Sequence, residues 1–215
     1  MSDLSEWYCR LDDVPSHEEK SFVFSSESIP PPPAALSSYS IVAKRGGHGY
    51  GHADFAVVHI QASLETYRRL GILLLATVFH ATGIELAFTH KDSEIKSLVL
   101  EKPWIMSRPS HYETRPDRFT YWPSERDRHP WTDADPEDMP RLNFAEGCGL
   151  ADSSSDRGRV LLGGLLLDAG RAEAKCNEYH LEGECGFRGA GPGSAEVSLW
   201  LPGSFGWDPD LWARP

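Results

Sequence analysis

The chain has 215 residues, 40% of them apolar and 25% charged, enough for one sizeable core or at most two small domains of a globular protein. Its formal net charge of −11 argues against nucleic acid and against an anionic membrane surface, because both are bound largely through Lys and Arg. A basic protein partner, a cationic ligand or plain solubility remain.

The first residues, Met1 to Asp13, are acidic and lack the apolar run of a signal peptide. The longest apolar run, Ile72 to Phe79, is too short to cross a bilayer. Cys9, Cys148, Cys176 and Cys185 form no C-x-x-C pair and no dense disulfide framework. These features point to a reduced, cytoplasmic protein.

One α+β domain over residues 1–215 is expected, opened by an arm and proline-rich connector over 1–33. Within the arm, Ser21–Ser25 has the look of a short edge strand. Pro30–Pro33 then favours polyproline II, which supplies no ladder donors. Ser40–Lys44 and Asp54–Gln61 read as two strands of a hairpin, joined by the glycine-punctuated loop Gly46–His52.

The strongest pattern follows. Ser63 is a good N-cap and Glu65 puts negative charge in the first turn. Leu64, Tyr67, Gly71, Leu74 and Val78 recur at helical spacing. Leu70, Leu73, Leu75 and Phe79 make the second half apolar nearly all round, which predicts a helix buried on more than one side. Gly83 stands where a C′ glycine would end it. Ile84–His90 alternates as a strand, Lys91–Glu94 is turn material, and Ile95–Glu101 is a further strand stopped by Pro103.

Residues 103–155 hold little periodicity and include Trp104, Trp122 and Trp131. They are expected to form a long irregular segment, with an acid-rich stretch from Glu125 to Asp138 that includes Asp133 and Asp135. Ser153–Asp156 and Gly170 bracket a second helix over Arg157–Ala169. The pair Gly163-Gly164 also permits a hairpin there; the helix is preferred because caps stand at both ends. Glu178–Cys185 and Ala195–Leu201 alternate strictly and predict a C-terminal hairpin. Its buried face would carry Tyr179, Leu181, Cys185, Val197, Leu199 and Leu201, and its other face Glu178, His180, Glu182, Glu184, Glu196, Ser198 and Trp200. No internal repeat is evident. The expected architecture is a mostly antiparallel sheet on one central buried helix, with a second helix and a C-terminal hairpin.

No catalytic signature stands out. There is no G-x-S-x-G elbow, and the glycine loop Gly186–Ser194 lacks the Lys-Ser/Thr of a phosphate cradle. His48 and His52 have spacing compatible with two metal ligands, but they lie in a glycine loop without the glutamate of a zincin helix. His180 beside Glu182 and Glu184 fits a general base with its orienting carboxylates, or the outer face of a sheet. His59 and His90 are on strands that could bring them together.

The reading that absorbs most of these features is a non-enzymatic binding module with no cofactor. Glu178, His180, Glu182, Glu184, Glu196 and Trp200, with Trp131, Asp133 and Asp135, would face a basic protein, as an immunity or inhibitor protein faces a toxin. The alternatives are a small metal-dependent or acid–base enzyme, or a structural subunit of a larger assembly.

Overall fold

The computed structural model describes residues 22–25, 29, 31–32, 37–46, 57–103, 118–121, 140–145, 147–170, 178–181 and 195–200. Their order is β1 (Phe22–Ser25), β2 (Ser37–Tyr39), β3 (Val42–Gly46), β4 (Val57–Gln61), α1 (Leu64–Phe79), β5 (Ile84–Phe88) and β6 (Ser97–Leu100). After these come β7 (Arg118–Tyr121), β8 (Leu142–Ala145), β9 (Gly149–Asp152), α2 (Asp156–Ala169), β10 (Glu178–Leu181) and β11 (Glu196–Trp200). The class is α+β. Among the described residues the pairing is mostly antiparallel, as expected, but the strands divide into three sheets rather than one: β1-β7, the mixed β10-β11-β4-β3, and the mixed β2-β5-β6-β9-β8. Strands β7, β8 and β9 lie within the stretch expected to be irregular.

Helix α1 forms as its pattern dictates. The Ser63 Oγ accepts the Thr66 N–H at 3.1 Å, satisfying one of the amides a helix start leaves open. Every residue from Leu70 to Val78 is buried. Each Leu or Ile side chain taken out of water contributes about 1.5–3 kcal/mol, so this helix is the centre of the core.

Its end corrects the expectation for Gly83. The Thr82 N–H bonds the Thr77 carbonyl and the Ala81 N–H bonds the Val78 carbonyl. Ala81 takes the left-handed conformation, φ 46°, that a Schellman cap requires. The glycine at 83 answers a different need: a Cβ there would sit 2.8 Å from the Leu100 carbonyl oxygen on the neighbouring strand. In β5, Ile84, Leu86 and Phe88 are buried and Glu85 is exposed, as the alternation predicts.

The chain is built from the same unit twice, an arrangement its sequence was not expected to hold. The first unit is β3-β4-α1-β5-β6 and the second is β8-β9-α2-β10-β11, each a hairpin, a helix and a hairpin. The units exchange hairpins: β4 pairs in parallel with β11, and its counterpart β9 pairs in parallel with β6. The four-stranded sheet β10-β11-β4-β3 thus has the strand order of β5-β6-β9-β8.

Residue detail follows the same correspondence. Ser63 and Ser155 each cap a helix by accepting the N–H three residues on. Gly71 and Gly163 are each the eighth residue of their helix. The run Leu70-Gly71-Ile72-Leu73-Leu74-Leu75 matches Leu162-Gly163-Gly164-Leu165-Leu166-Leu167. Ala43 and Leu142 occupy equivalent positions, and each offers its carbonyl to the segment leading into a strand of the other sheet: Ile95 N–H to Ala43 and Ala195 N–H to Leu142.

The two helices run antiparallel and meet at the matched glycines. A Cβ on Gly71 would lie 2.8 Å from the Gly163 carbonyl oxygen, and one on Gly163 would lie 3.2 Å from the Gly71 carbonyl oxygen. At one end of the crossing Gly170 lies against the Leu64 and Arg68 backbone, and at the other Arg159 reaches Thr77. So the central buried helix α1 packs within the core against the second helix. The guanidinium of Arg45 stacks over the Phe144 ring at 4.2 Å, and these too are equivalent positions, meeting across the approximate two-fold axis.

Candidate functional site

The hairpin β10-β11 places the predicted contact residues. Its register sets Glu178 opposite Trp200, Tyr179 opposite Leu199, His180 opposite Ser198 and Leu181 opposite Val197. Val197 and Leu199 are buried in the core, as expected. Strand β11 then pairs with β4, which puts Glu196 beside Val57, Ser198 beside His59 and Trp200 beside Gln61. The next strand adds Lys44 opposite His59 and Val42 opposite Gln61.

Side chains alternate across a sheet, so register assigns faces. One row across four strands reads Lys44, His59, Ser198, His180, and the next reads Val42, Gln61, Trp200, Glu178. This face does not stand open throughout. Ser198 is 2% exposed and Gln61 3% exposed, so its middle is covered. That revises the expectation of a continuous solvent-facing strip through Ser198. The opposite face carries Ala43, Val58, Ile60, Val197 and Leu199 into the helix-packed core.

Lys44, His59, Gln61 and Ser198 were not singled out from sequence as one group. Each lies in a strand whose polar positions read as solvated, and only the parallel pairing of β4 with β11 brings them side by side. The row holds a serine next to a histidine, but the His59 ring lies over Gly46 on β3.

A second buried polar group joins the helices. Arg159 and Asp152 are both fully buried, with Arg159 Nε donating to Asp152 Oδ2 at 2.8 Å. Arg159 Nη2 donates to the Asp152 carbonyl at 3.0 Å and Nη1 to Thr77 Oγ1 at 3.3 Å. Asp152 Oδ1 accepts the Ser154 N–H. The equivalent place in the first unit holds Tyr67, whose hydroxyl donates to the Ile60 carbonyl at 2.7 Å. Tyr67 and Arg159 do the same work: each reaches from the first turns of a helix to the carbonyl of the preceding strand. The ion pair belongs to the core and opens to no solvent.

The other histidines separate. His80 Nε2 meets the Ile29 carbonyl at 2.6 Å and ties down the segment before β2. His90 stands 3.7 Å from Asp92 in the turn after β5. His59 is in the four-stranded sheet and His90 follows a strand of the five-stranded one, so the two are not brought together on neighbouring strands. Cys148 is an exposed free thiol in the β8-β9 turn. Among the described residues no three His, Cys, Asp or Glu side chains converge on a metal position. His48, His52, Trp131, Asp133, Asp135, Glu182 and Glu184 lie outside the described residues.

No family model, curated protein or solved structure matches the chain. Among the described residues no helix is long and apolar enough to cross a membrane.

Proposed function

We propose that the protein is a non-enzymatic binding module of the cytoplasm that engages a basic protein partner through the β10-β11 end of its four-stranded sheet. An immunity-type inhibitor of a basic toxin is the concrete form of this reading. The observation that carries it is placement: Glu178 and His180 stand on the outermost described strand of the sheet, with Glu196 and Trp200 on its neighbour, in a chain of net charge −11. A tryptophan among acidic residues is a composition that suits a charged rim around an aromatic anchor.

Acidic surfaces speed association with basic partners, and the gain falls as salt screens it. Partners captured from a native-host lysate at low salt, and identified by mass spectrometry, are expected to include a protein of strongly basic composition. Its association rate should drop steeply as salt is raised. Neutral or acidic partners only, or a rate indifferent to salt, would remove the reading.

A further inference from the structure

Each unit completes its sheets with strands of the other. In the first unit β4 has β3 on one side and takes its second neighbour, β11, from the second unit. Strand β6 likewise has β5 on one side and takes β9 from the second unit. The helices follow the same rule, since the bare backbone at Gly71 is met by the Gly163 carbonyl of the opposite unit. A strand without its second neighbour is a row of unmet donors and acceptors, so each unit requires another to cover it.

The pairing is also selective. Arg45 and Phe144 occupy equivalent positions and meet near the approximate two-fold axis, 4.2 Å from guanidinium carbon to ring centroid. Two first units would set Arg45 against Arg45, a like-charge contact, whereas a first unit against a second makes the cation–π pair. These contacts are the same whether the two units belong to one chain or to two. Strand β7 pairs with β1, and beyond it residues 122–139, which span at most about 60 Å, lead towards the second unit. A folded chain of this length has a radius of gyration of about 17 Å, so that stretch is long enough to deliver the second unit to a neighbouring molecule.

We propose that a second copy of this chain is a partner at the interface between the units. The first unit of each copy pairs with the second unit of the other, and the reciprocal dimer holds the contacts of the monomer twice over. This goes beyond the binding reading above and does not depend on it. Covalent connection favours the monomer by holding the units at an effective concentration of about 1 mM, so exchange gains as the concentration of refolding chains approaches that value.

Two experiments on the full chain test the proposal. Wild-type protein, one batch labelled with heavy nitrogen and one unlabelled, is unfolded in urea, mixed and refolded at concentrations rising to about 1 mM. Native mass spectrometry should show a dimer that grows with concentration and includes a heavy–light species of intermediate mass. Samples that stay monomeric throughout would overturn the proposal. The second experiment asks whether the dimer forms by reciprocal pairing. Leu74→Asp disables the first unit and Leu166→Asp the second, because both leucines are buried in the core. Refolded together, these variants should recover about half of the wild-type native signal, in a dimer, since one of its two folds draws an intact unit from each chain. Leu74→Asp mixed with Leu73→Asp, both in the first unit, should recover none. Equal recovery in the two mixtures, or no gain in the first mixture over its separately refolded components, would overturn reciprocal pairing and the proposal with it.

Discussion

The helix crossing yields the sharpest test, because two opposed effects meet at one atom. Replacing a mid-helix glycine with alanine stabilises a helix by about 1 kcal/mol through intrinsic propensity. Against that stands the space available. At Gly71 the new methyl would sit 2.8 Å from the Gly163 carbonyl oxygen and 3.1 Å from the Leu167 backbone nitrogen. Both are backbone atoms of the partner helix, and neither yields without parting the helices. Overpacking of this kind costs about 1–3 kcal/mol, and rigid neighbours place Gly71→Ala at the upper end. The net expectation is a loss of about 2 kcal/mol. At Gly163 the new methyl would meet the Gly71 carbonyl oxygen, Leu75 Cδ2 and Leu75 Cγ, all at 3.2 Å, so the neighbours need give by only a few tenths of an ångström. Cost and gain there nearly cancel. Urea unfolding of the two variants, compared at unchanged m, measures the difference. Gly71→Ala should fall well below Gly163→Ala. Two variants equally stabilised by about 1 kcal/mol, the propensity value alone, would show that the helices do not touch at these glycines.

Other substitutions examine the repeat directly. Asp152→Ala strands the buried Arg159 charge and should cost about 3–5 kcal/mol in urea unfolding. Installing the first unit's solution, Arg159→Tyr with Asp152→Ile, should recover most of that loss; a double variant as unstable as the single one would deny the equivalence with Tyr67 and Ile60. Ser63→Ala and Ser155→Ala should each lower stability by about 1 kcal/mol, and a large inequality between them would mean that only one is a working cap. Ala81→Gly should raise the melting temperature, because alanine carries a left-handed penalty of about 1–2 kcal/mol that exceeds the chain entropy a glycine adds. An unchanged or lower melting point would refute the left-handed cap.

The elements read correctly from sequence are those whose signals agree at several levels. Helix α1 has a cap, a first-turn acid and an apolar stripe, and β5 has strict alternation. Helix α2 was the instructive case, since Gly163 and Gly164 count against a helix by propensity. The crossing explains the first of them, because tertiary contact with Gly71 selects a residue without a Cβ. Strands β7, β8 and β9 have four residues each, too few for a period of two to stand out among prolines and acids. The repeat was written in the chain as two Leu-Gly-x-Leu-Leu-Leu runs, but Ser63 and Ser155 aside, little flanking them agrees. Its identity lies in hydrogen bonds such as those of Tyr67 and Arg159, where unlike side chains serve one geometry. The polar face was illegible for a related reason: Ser198 and His59 are far apart in sequence and become neighbours only through the exchange of hairpins between units.

That exchange lets one half of the molecule serve as a control for the other. The row Lys44, His59, Ser198, His180 corresponds by register to Asn143, Ala151, Val99, Glu85 in the second sheet. The backbone is common to both, so the backbone does not demand a histidine and a serine at the centre of the row; alanine and valine serve as well. Caps, crossing glycines and leucine runs match between the units, as positions held by packing should. The departures include the buried Arg159–Asp152 pair, in place of Tyr67 and Ile60, and the central row of the four-stranded sheet. Its central row is polar and covered at Ser198, whereas Val99 and Ala151 on the other sheet are half-buried. Polarity in that row is therefore a property of these side chains and not a requirement of the repeated backbone.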